Sequence, residues 1–128
     1  SSLLFALLHL GNPDIGILPI LNIALFGLFA SLYLLRTDNI WGIIGLHAAC
    51  NFTQGNIYGF SVSGTGVDAA VLNFIPKSDQ SWLTGGAFGA EASIFSSLVL
   101  LLAVFYLLIK MKKDGSLTDL VRMAQKHY

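Results

Sequence analysis

Two polar side chains stand inside an apolar, helix-length stretch, residues 40–60, IWGIIGLHAACNFTQGNIYGF: His47 and Asn51. Four residues apart, they share one face of an α-helix, about one turn from each other. An imidazole can serve near neutral pH as acid, base, metal ligand or hydrogen-bond donor. A carboxamide can donate to an oxyanion. A third such group, His9, closes another apolar run, SSLLFALLHL. Two neutral imidazoles can bind a metal ion or hold a water molecule. In hydrocarbon such groups are costly unless paired, so they find partners or line a wet cavity. A lone histidine there most often ties helices together. The pair at i, i+4, with His9 at a matching depth, points instead to a shared site. A base is missing from this set. Glu91 is the only carboxylate near a spanning run, and its position reads as a first-turn acid facing a helix dipole. No Gly-Lys-Ser/Thr phosphate loop and no Ser/His/Asp order accompanies the glycines.

The elements that must carry these residues are helices in a membrane. Of the 128 residues 55% are hydrophobic and 11% charged, against roughly a quarter charged in a soluble domain. The net charge is zero, which gives no footprint for nucleic acid. The single cysteine, Cys50, excludes an intrachain disulfide and reads as a small packing residue. The apolar runs are long and do not alternate, so the fold class is all-α, a polytopic integral membrane bundle. A first helix over residues 1–10 is short, about 15 Å, and reads as the end of a helix in a longer protein. Gly11-Asn12-Pro13 stops it. Residues 15–35 hold no charge and are long enough to span. Arg36 to Asn39 form a turn in which Asp38 or Asn39 caps the next helix. That helix runs from Ile40 to between Thr53 and Tyr58.

Residues 59–90 are glycine-rich. Within them Asp68–Ile75 is too short to span and reads as an interfacial or re-entrant helix. Residues 91–109 form the last spanning helix, ending on Lys110, Lys112 and Lys113. From Ser116 the spacing of Leu117, Leu120, Val121 and Ala124 predicts a short amphipathic helix on the headgroups. The chain thus divides into a membrane-embedded part, 1–110, and a tail, 111–128. The positive-inside rule puts the lysines and the C-terminus in the cytoplasm, with Arg36 on the same side and the 59–90 loop on the other.

Two motifs on these helices resemble a family. Phe5-x-x-x-His9 and His47-x-x-x-Asn51 are similar to the second and last signatures of the CPBP intramembrane metalloproteases, which include the CAAX prenyl endopeptidases and the bacteriocin-processing or immunity (Abi) proteins. Leu35-Arg36-Thr37, Tyr58-Gly59-Phe60, Ser63-Gly64 and Gly85-Gly86-x-Phe88-Gly89-x-Glu91 resemble the same family, so that the likeness reaches to about Leu108. Its first signature, Glu-Glu-x-x-x-Arg, is absent from this sequence and would fall upstream.

The resemblance implies an intramembrane metallo-endopeptidase acting on a peptide or protein substrate in a prokaryotic cell membrane, either C-terminally prenylated or of leader type. It implies that the missing glutamates activate water with the help of His9, while His47 and Asn51 stabilise the oxyanion. A divalent metal such as zinc, held by His9 and His47, is the alternative role proposed for the histidines. Without the glutamates the 128 residues are expected to be inactive alone. A non-catalytic immunity or binding protein of the same fold is the competing expectation. A small transport subunit ranks lower, because residues 15–35 and 91–109 are almost bare of polar groups.

Overall fold

The computed structural model describes residues 2–118 and residue 125. Among the described residues five α-helical elements are defined: α1 (Ser2–Leu8), α2 (Ile17–Thr37), α3 (Ile40–Phe52), the short α4 (Ser81–Thr84) and α5 (Ile94–Lys113). α3 continues into a π-helical turn, Thr53–Ile57, and two 3₁₀ turns, Gly86–Phe88 and Ala90–Ala92, lead into α5. Among the described residues there is no strand, only a lone bridge between Val62 and Thr65 that closes a tight turn. The protein is an all-α membrane bundle. α2 and α5, with 21 and 20 residues, are long and apolar enough to cross a bilayer. The amphipathic tail expected from Ser116 lies, past Thr118, outside the described residues.

Local chemistry sets the ends. Asp38 closes α2 in the left-handed conformation, and its N–H returns to the Leu34 carbonyl at 2.8 Å. Asn39 then caps α3, its side-chain oxygen accepting from the Gly42 N–H at 3.2 Å. A turn that short forces α3 to run back along α2. Gly42 makes the approach close, since a Cβ there would stand 2.2 Å from the Tyr33 hydroxyl. Further along, His47 lies against Phe26, as an antiparallel pair requires.

α2 and α5 run parallel. Near their starts Ser97 donates to Asn22, and at their ends Arg36 pairs with Asp114 at 3.1 Å. Leu32, Val104, Leu107 and Met111 pack between them. A second core joins Ala6, Ile23, Phe88 and Ala92. Arg36 and the lysines of α5 therefore share one end of the bundle, and the 59–90 segment crosses the other. The exposed Asp114 carboxyl is held below its ordinary range by the Ser116 hydroxyl, with Arg36 adding to the effect.

Two expectations fail. Asp68–Ile75 is not a helix. The N–H groups of Val71, Leu72 and Phe74 go to the carbonyls of Asn56, Ile57 and Tyr58 at 2.8–3.1 Å. Those carbonyls end a helix and lack partners within it, so the segment satisfies a neighbour's backbone instead of its own. The last helix also starts at Ile94 and not at Glu91, because Ser93 is its cap, accepting from the Ser96 N–H at 3.2 Å.

Candidate active site

α3 inverts the pattern of a soluble amphipathic helix. It has no buried residue, and its partly covered stripe includes the polar His47 and Asn51, with Gln54 one step on in the π-turn. Its apolar side chains Ile40, Trp41, Ile44 and Phe52 are the exposed ones. That is the arrangement expected of a helix whose solvent is lipid.

His9, His47 and Asn51 line one cavity of about 450 Å³ between α1, α2, α3 and α5, a size that suits a small ligand or a peptide segment. His9 sits one residue past α1, its Nδ1 2.8 Å from the Phe5 carbonyl. A carbonyl accepts, so Nδ1 donates, and in the neutral ring Nε2 keeps its lone pair. The four-residue spacing of Phe5 and His9 is what lets this bond form. The Phe5 ring stands 4.6 Å from the His9 ring and 6.1 Å from the His47 ring, centroid to centroid. One aromatic wall therefore serves both imidazoles. Phe26 packs on His47 at 4.9 Å and on Phe5 at 5.9 Å, so the three rings form one cluster.

Asn51 Nδ2 lies 3.4 Å from His47 Nε2. That is long for a hydrogen bond. Two nitrogens at that spacing can both reach a single oxygen at about 2.9 Å each. With the proton of His47 on Nε2, the pair is a two-donor cradle for one negative oxygen.

The residues fit a metal poorly on their own. A catalytic zinc takes about three protein ligands, and the two imidazoles are one short. Among the described residues no group of three or more His, Cys, Asp or Glu gathers. A metal held by His9 and His47 would need a ligand from elsewhere.

One cavity residue escaped the sequence reading, and another was misread. Asn22, in the charge-free run of α2, is 2% exposed. Its Nδ2 donates to the carbonyls of Glu91 and Ser93 at 2.8 and 3.0 Å, and its Oδ1 accepts from Ser97 at 2.6 Å. A lone Asn within an uncharged span was the available signal. Glu91 does not serve the α5 dipole as its position suggested. Its Oε1 accepts from both the backbone N–H and the hydroxyl of Ser63. Asn22→Leu should strand the Glu91 carbonyl, while that of Ser93 keeps the Ser97 N–H at 3.2 Å, and should lower stability by about 2 kcal/mol. An unchanged melting temperature in detergent would mean the network contributes nothing.

Fold and site together define a helical membrane protein with a histidine–histidine–asparagine cavity between its helices. Residues 1–53 match the family model described as Rce1-like, type II CAAX prenyl endopeptidase. The match takes in both the Phe5–His9 and the His47–Asn51 motifs, and it bears out the resemblance to the CPBP family over that stretch. No curated protein and no solved structure matches the chain. Over residues 1–53, then, the sequence is similar to a membrane peptidase family.

Proposed function

We propose that this chain carries the histidine and asparagine groups of an intramembrane endopeptidase that acts on a peptide at the membrane. The carrying observation is the His47–Asn51 cradle opening on the same cavity as His9, within the stretch that is Rce1-like. In this reading the scissile carbonyl enters the cradle, and its oxygen takes two N–H donors as charge develops. His9, fixed by the Phe5 carbonyl, offers Nε2 to the attacking water and orients it. Removing the proton from that water falls to a carboxylate, which the family resemblance assigns to a Glu-Glu-x-x-x-Arg motif. These 128 residues contain no such motif, so expressed alone they should bind substrate without turning it over.

The second reading is a non-catalytic immunity or binding protein of the same fold. The native gene product in lipid nanodiscs decides between them. Cleavage of a quenched peptide library, prenylated and unprenylated, supports the peptidase; binding without cleavage supports the alternative. Chelation of metal before the assay tests the proposed metal role, which fails if turnover is unchanged.

We further propose a prokaryotic cell membrane with the lysine-bearing end of α5 in the cytoplasm, following the positive-inside rule. With Cys50 replaced, a cysteine at the exposed Asp79 should react with an impermeant maleimide on intact cells. Labelling only after lysis would reverse the orientation.

A further inference from the structure

Glu91 is the one carboxylate among the described residues that line the cavity, and no Lys or Arg faces it there. Its setting is built. The residue lies in the 3₁₀ turn Ala90–Ala92, and Asn22 holds its backbone carbonyl at 2.8 Å. Oε1 takes both donors of Ser63. Ser63 in turn sits in the tight turn whose next residue, Gly64, has φ +81° and donates to the Phe88 carbonyl at 2.9 Å. A Cβ on Gly64 would strike the Pro13 carbonyl at 2.1 Å, so the turn is wedged against the loop that follows His9. One carboxylate oxygen is thus immobilised from two sides.

The other oxygen, Oε2, has no donor. Yet among the described residues no fully buried side-chain oxygen lacks a partner. Oε2 is therefore open, on a residue that lines the cavity. A negative charge with one free oxygen, facing a cavity lined mostly by apolar surface, attracts a cation more strongly than the same group does in bulk solvent. The two donors of Ser63 aim the charge without neutralising it.

We propose that Glu91 is a substrate-binding residue that selects a cationic group, such as a lysine or arginine side chain, on the peptide occupying this cavity. The proposal rests on the endopeptidase reading only in taking the ligand to be a peptide. The simpler role, a staple for the Ser63 turn, needs an acceptor oxygen and no charge. Glu91→Gln separates the two, because a glutamine oxygen still accepts from Ser63 while the charge is gone.

The test uses the native gene product in nanodiscs and fluorescent peptides carrying either lysine or the uncharged norleucine at successive positions. Wild-type protein should bind the best lysine peptide at least ten times more tightly than its norleucine twin. Glu91→Gln should erase about 10- to 100-fold of that preference, the usual worth of a charged hydrogen bond, and leave the norleucine Kd in place. Ser63→Ala should keep the preference. A wild-type protein with no lysine preference overturns the proposal without recourse to any variant. So does a Glu91→Gln protein that keeps the preference, or that weakens both peptides equally, as a lost staple would. Cleavage is read in the same samples. Charge-selective binding without cleavage refutes the peptidase and leaves this assignment standing.

Discussion

In the native gene product His47→Ala should lower kcat for peptide cleavage by about 10²–10³-fold, and Asn51→Ala by a similar factor, the usual loss for one oxyanion donor. Neither change should prevent membrane insertion, since both side chains face the cavity and α3 buries no residue in the bundle. The geometry adds a sharper expectation. The two nitrogens are 3.4 Å apart, close enough to serve one oxygen and too far to satisfy each other well. They act as a unit, and effects within a unit are not additive. The double variant should therefore lose little more than the worse of the singles. A double variant whose loss is the product of both would show that the groups act on different atoms, and the cradle would have to be abandoned. KM should move less than kcat in all three, because the donors meet full charge only in the transition state.

How much of this was written in the local sequence depends on how far each residue's partners lie along the chain. His47 and Asn51 were legible because four residues of helix fix their relation and the apolar context marks them as out of place. Phe5 and His9 follow the same rule, and the structure adds why the phenylalanine belongs: its carbonyl sets the histidine tautomer and its ring walls both imidazoles. The long helices and the Asn39 cap were legible for similar reasons.

Asn22 was not, since its partners stand 69 to 75 residues away. Nothing near it in sequence distinguishes a buried network from a stray polar residue. Glu91 was misread by a sound local rule: an acid just ahead of a helix complements its dipole. A tertiary partner, Ser63, supplied two donors and took the side chain elsewhere. The segment 68–75 failed the same way. Its apolar composition suggested an interfacial helix, but its N–H groups were claimed by the open carbonyls ending the π-turn. In each case a local preference worth a few tenths to about 1 kcal/mol yielded to hydrogen bonds with groups that had no other partner.

His9→Ala should cost about 10²–10⁴-fold in cleavage, the range for a group that handles a proton in the transition state. The histidine is placed by local bonding alone. Its backbone N–H returns to the Ala6 carbonyl at 3.1 Å and its Nδ1 to the Phe5 carbonyl at 2.8 Å. Its Nε2 is left without a protein partner on a ring that lines the cavity. Removing the ring takes away that lone pair and one side of the cavity wall, while the α1–α2 packing around Ala6 and Ile23 stays. The variant should accordingly insert, melt near the wild-type temperature and bind the substrate peptide, yet fail to cleave it. The role differs from that of His47. His9 acts on water and His47 on the carbonyl, so an inhibitor bearing a tetrahedral oxyanion should lose affinity for His47→Ala and much less for His9→Ala. Equal losses would merge the two roles into one. Turnover close to normal in His9→Ala and His47→Ala alike would remove this cavity as the place where the bond is broken.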